Sequence, residues 1–176
     1  MTADFSNSVI LPENLPLIES AEFNPIDQKY LKILYINILI RTVAYGGLLT
    51  GLFFIIIPDI PGFIPWIAAG LFLAIIVYSL IITRLSFSRR GYLIRERDIA
   101  YRRGLISFRL TSIPFNRIQH VELIQTVIAK QMGLAKIKVY TAGSSADDLV
   151  IPGLPLDVAG QIREFLTGKI SPDEKD

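Results

Sequence analysis

The stretch Phe63–Ile82 reads FIPWIAAGLFLAIIVYSLII, twenty residues without a charge. As a helix rising about 1.5 Å per residue it spans about 30 Å, the thickness of a bilayer's hydrocarbon core. Immediately before it lies Pro58-Asp59-Ile60-Pro61-Gly62, a short link of turn residues with no basic group. A second apolar run ends on the other side of that link, at Ile57. Thr42 to Ile57 alone would reach only about 24 Å, too short to span. The first helix must therefore begin near Leu34 to Ile38 and include Arg41. That arginine then sits about 6 Å inside the apolar layer, shallow enough to snorkel out. No acid in either helix could partner it. Two antiparallel membrane helices are predicted, at about 35–57 and 63–82. Gly46, Gly47 and Gly51 have two readings: they let the helices approach closely, or they reflect how common glycine is in membrane helices.

Composition and charge agree with this division. The chain is 51% hydrophobic and 19% charged, with a formal net charge of +2. The apolar excess lies between about Leu31 and Ile82. Residues 1–30 form an acidic segment, carrying Asp4, Glu13, Glu19, Glu22 and Asp27 with no Lys or Arg before Lys29. Residues 31–83 form the hairpin, 84–169 a small domain, and 170–176 a charged tail. Lys29, Lys32 and Arg41 precede the uncharged run of the first helix, and Arg84, Arg89 and Arg90 follow the second. The positive-inside rule then puts both termini in the cytoplasm. The arginine-rich run Arg84, Arg89, Arg90, Arg95, Arg97, Arg102 and Arg103 is the best candidate surface for anionic lipid headgroups. Its simpler reading is topogenic, since arginines after a helix fix orientation without any specific ligand.

Little else points to chemistry. There is no cysteine, which excludes disulfides, iron–sulfur clusters and thiol catalysis. His120, the single histidine, has no neighbouring acid cluster with which to build a metal site. Ser144, Ser145, Asp147 and Asp148 share one loop with no base and read as a polar turn. Gly46-Gly47 lies inside a helix, so it is no phosphate-cradling loop. No catalytic residue, cofactor or metal is expected. Nucleic acid binding is not expected either, because no aromatic platform interleaves with the basic run.

Beyond Leu85 the pattern shortens to period two. Strands are predicted at Tyr92–Arg95, Ile99–Arg103, Ile106–Leu110, Ile118–Ile124, Ala135–Thr141 and Leu149–Ile151. In the fifth, Ala135, Ile137 and Val139 should be buried and Lys136 and Lys138 exposed. A final helix follows, with Asp157 near its start, Val158, Ile162, Phe165 and Leu166 on its apolar face, and Gly168 just past its end. The class is α+β: a two-helix hairpin, then a curled antiparallel sheet plugged by a C-terminal helix.

One ordered set of residues is more specific than these patterns. After the hairpin come Tyr101 and Gly104, then Ile113-Pro114, Arg117-Ile118-Gln119-His120-Val121 and Gln125. Gly133-Leu134 and Thr141-Ala142-Gly143 follow. Over about residues 31 to 167 the chain resembles the bacterial pleckstrin-homology-like membrane proteins, the YdbS-like family. The resemblance implies a strongly bent antiparallel sheet, a partly open barrel, capped by a helix. It carries no catalytic residues. It is compatible with a non-enzymatic module in the bacterial cell membrane, with membrane lipids and a related membrane protein as partners. The oligomeric state is left open.

Overall fold

The computed structural model of the chain describes residues 21–56, 61–142 and 148–170. The predicted link at Pro58–Ile60, the serine-rich turn 143–147, most of the acidic segment and the tail from Ser171 lie outside them.

A two-residue strand comes first, β1 (Asn24–Pro25), followed by the long helices α1 (Lys29–Ile56) and α2 (Ile64–Phe87). Three strands then form a meander: β2 (Gly91–Ile94), β3 (Asp98–Arg103) and β4 (Arg109–Pro114). A single 3₁₀ turn (Phe115–Arg117) leads into β5 (Ile118–Ile124), α3 (Val127–Gln131), β6 (Leu134–Thr141), β7 (Leu149–Pro155) and α4 (Leu156–Ile170). One sheet has the order β1-β2-β3-β4 and the other β5-β6-β7, with every pairing antiparallel. The hairpin is thus inserted between two adjacent strands of the first sheet.

Both helices are long and apolar enough to cross a membrane. None of the residues of α2 is buried, and Trp66 and Ile67 are bare. Helix α1 begins at Lys29, earlier than the residue 35 read from hydropathy. The carboxylate of Asp27 accepts the Lys29 N–H at 2.7 Å, which caps the first turn. Leu31, Ile33 and Ile38 are buried, so the added turns serve the domain's packing. Helix α2 likewise continues past Ile82 to Phe87, whose side chain packs on the core. A Cβ added at Gly46 would lie 3.1 Å from Cζ of Phe72, while Gly47 and Gly51 face open space. Close approach therefore explains one of the three glycines. Arg41 donates through Nε to the carbonyl of Asn37, one turn back toward the basic end. That direction is the one snorkelling requires.

The core lies between the two sheets and α4. It includes Ile99, Tyr101, Ile113, Ile137, Val139, Ile151 and Leu154, and α4 closes it with Ala159, Ile162 and Leu166. On β6 Ala135, Ile137 and Val139 are buried as predicted, while Lys136 and Lys138 are half-buried instead of exposed.

Four further expectations need correction. The fourth strand (β4) is Arg109–Pro114, so the alternating Ile106 and Phe108 fall in a turn and are exposed. Gly104 causes this shift: its φ of +105° and a virtual Cβ only 1.9 Å from the Ser107 carbonyl oxygen close a tight turn there. Helix α3 was not expected, because five residues are too few to show a period. Strand β7 runs on to Pro155, past the predicted end at Ile151. Helix α4 continues to Ile170, so Gly168 lies within it.

Candidate functional site

The seven arginines separate into two places. Arg95 and Arg97 border the β2–β3 turn, at the far end of β2 from the hairpin. Arg95 is spoken for: its Nε donates to Asp98 Oδ1 at 2.6 Å and a second contact makes the pair bidentate. Ser112 donates to the same carboxylate. The Arg95 hydrogen bond, aided by Ser112, holds Asp98 below the usual carboxylate range. The remaining five lie toward the hairpin: Arg84 in the last turn of α2, Arg89 and Arg90 in the link to β2, and Arg102 and Arg103 at the end of β3 that pairs with Gly91.

The hairpin end is built by close approaches. At Gly91 an added Cβ would lie 2.9 Å from Phe23 Cβ and 3.1 Å from the Asn24 carbonyl oxygen. Only glycine lets β1 lie this near. The Arg102 guanidinium stacks over Phe23, 4.4 Å from the ring centroid. Gly153 has φ +71°, and its Cβ would strike the Tyr30 ring at 2.5 Å. Its carbonyl accepts the Asp27 N–H at 3.1 Å. The start of α1 is therefore clamped from both sheets. Beside Tyr30 lie Arg90, 5.9 Å from the ring centroid, and the buried hydroxyl of Tyr101. Burial pushes the Tyr101 phenol up from its ordinary value, opposed by the positive charge of Arg90. Neither that hydroxyl nor Arg90 Nε has a hydrogen-bond partner.

Between the start of α1 and the end of α2 opens a cleft of about 790 Å³. Its polar wall is Gln28, Lys29, Lys32, Tyr35, Arg84, Ser88 and Arg90. Lys29, Lys32 and Tyr35 recur at helical spacing on one face of α1. Among the described residues, none of these four cations has a carboxylate within ion-pair distance. Sequence reasoning nominated Arg84 and Arg90 but not the two lysines as their partners. Only the antiparallel register of the helices brings the two sets together.

The ordered motif forms the corners of the domain. Tyr101 and Ile113 are core residues, Gly104 and Gly133 take positive φ, and the Ala142 N–H donates to the Arg117 carbonyl at 3.0 Å. Gln125 donates to the Leu134 carbonyl at 2.9 Å, tying the two ends of α3. Gly143 lies outside the described residues. His120 stands on the outer face of β5, stacked on Tyr140 and 3.2 Å from Glu122. The Tyr140 hydroxyl, and then His120, hold the Glu122 carboxyl below its ordinary range. No group of three His, Asp or Glu side chains is gathered among the described residues.

The sequence profile of the bacterial PH domain matches residues 47–170. The chain belongs to the bacterial PH domain family. No curated protein and no solved structure matches it. The matched part of the PH domain chain begins within α1 and ends with α4, so Arg84 and Arg90 fall inside it. Lys29, Lys32 and β1 precede it.

Proposed function

We propose that this chain is a non-enzymatic, membrane-anchored interaction module of the bacterial cell membrane. Its hairpin crosses the bilayer with both termini cytoplasmic, and its PH domain binds a partner protein at the inner face. The two-sided clamp at Gly91 and Gly153 carries the reading, since it packs the base of the anchor directly against both sheets of the domain. A domain tied only by a flexible link would not need such close packing. Bare apolar helices fit lipid contact, and the cations at their base fit the inner leaflet. For the partner, the outer side of β4 is an open edge among the described residues, and β1 covers only Gly91 and Tyr92 of β2. Such edges accept an added strand.

The full chain, tagged and purified in mild detergent, is expected to bring down one membrane protein at fixed stoichiometry. The two purified proteins should then rebind, and a photo-reactive residue at Arg109 on β4 should crosslink the partner. Repeated recovery of the lone chain would count against the reading.

The second reading is recognition of anionic lipid, and the cleft at the hairpin base favours it. The full chain should then select anionic over neutral lipid, with an affinity that falls as salt rises.

A further inference from the structure

We propose that the cleft at the base of the hairpin is a binding site for the phosphate of an anionic membrane lipid, held by Lys29, Lys32, Arg84 and Arg90. The proposal deepens the lipid reading and rests on the hairpin's crossing a bilayer.

Depth is the first argument. The Gly46–Phe72 contact fixes how the antiparallel helices face each other. Counting outward from it, Tyr35 lies level with Thr83 and Lys32 with Ser86. With Phe63–Ile82 in the hydrocarbon layer, the cleft begins just below the boundary, where headgroup phosphates lie. Charge is the second. Three cations from the two helices and Arg90 from the link after α2 line the cleft with no carboxylate among them, and a basic pocket at the cytoplasmic ends of membrane helices suits an anionic headgroup. Arg90 and Tyr35 add N–H and O–H donors for further phosphate oxygens, while the Ser88 hydroxyl is already given to the Leu85 carbonyl. Amphipathicity is the third. Leu31, Leu85 and Phe87 line the same cleft and offer an apolar wall to the glycerol and upper acyl chain. A free phosphate would leave that wall unused.

The test uses the full chain in neutral detergent, with bound lipids counted by native mass spectrometry during titration with dioleoyl phosphatidylglycerol. One tightest lipid is expected. K32Q/R84Q should weaken it about thirtyfold, since each cation near an anionic surface contributes about fivefold. The control K130Q/R163Q removes the same charge from exposed positions outside the cleft and should change it less than twofold. Equal losses in the two variants would reduce the site to general surface charge and overturn the proposal. So would displacement of the lipid by inorganic phosphate at equal concentration. Binding only after deletion of residues 1–20 would also overturn it, because the cleft would then belong to the acidic segment. An alkaline wash of membranes reads the underlying assumption separately. If the wild-type chain washes off, the membrane reading fails with the proposal; if it stays and the variants bind equally, only the proposal fails.

Discussion

At the scale of single residues, one glycine and one carboxylate do work that hydropathy does not register. Gly91 has no unusual φ, yet it admits β1 because a methyl group there would meet Phe23 and Asn24. G91A is expected to push β1 off the sheet while leaving the core intact. Hydrogen exchange should rise at Asn24, Gly91 and Tyr92 and stay low in β6. Asp98 joins Arg95 and Ser112 across the β2–β3 turn. Its carboxyl is held below its unfolded value, so the stabilisation is fully present above that value. It is lost as pH falls through the lower folded value. D98N should cost about 1 kcal/mol at neutral pH, a modest figure because Arg95 is largely exposed. It should also flatten the acid limb of a melting-temperature profile. An acid limb as steep as the wild type's would contradict this. Arg95 and Asp98 are both visible in the sequence, but the arginine-rich run treats Arg95 and Arg97 alike. The turn between β2 and β3 spends one of them on Asp98.

At the scale of elements, α4 shows periodic reading working well. Ile162 and Leu166 were placed on its apolar face, and both are buried. Phe165 instead meets Phe115 edge-on with centroids 5.8 Å apart and stays partly exposed. L166A should cost about 2–5 kcal/mol, because the side chain is fully enclosed and its loss leaves a cavity. Chemical denaturation in detergent, followed by tyrosine fluorescence, checks it. Turn-rich elements were harder to read. The period-two run at Ile106 and Phe108 looked like a strand, but Gly104 folds the chain back before it can pair. The strand predicted at Leu149–Ile151 continues to Pro155, and at Gly153, where φ is positive, it lies against Tyr30. G153A brings both a strained backbone and a clash with the Tyr30 ring. A loss of about 1–3 kcal/mol is expected, with faster exchange in Leu31–Ile38. A variant that melts like the wild type would show that α1 is not clamped there.

At the scale of the whole molecule, the hairpin sits inside the domain's own sheet, between β1 and β2. Any displacement of the helices is therefore felt at Gly91 and Gly153. The cysteine-free chain suits a topology test with single introduced cysteines. S107C is expected to react with an impermeant thiol reagent only from the cytoplasmic side, and D59C only from the opposite side. Labelling of both from one side would overturn the hairpin topology. The sequence by itself determined the hairpin, the charge asymmetry around it and the α+β division, because run length, charge and short-range period are local properties. Only the tertiary structure decided that Asn24–Pro25 completes the first sheet and that Lys29 and Lys32 face Arg84 and Arg90. Those meetings join residues far apart in the chain. They depend on helix register and on the space left at three glycines (Gly46, Gly91 and Gly153), which no local pattern encodes.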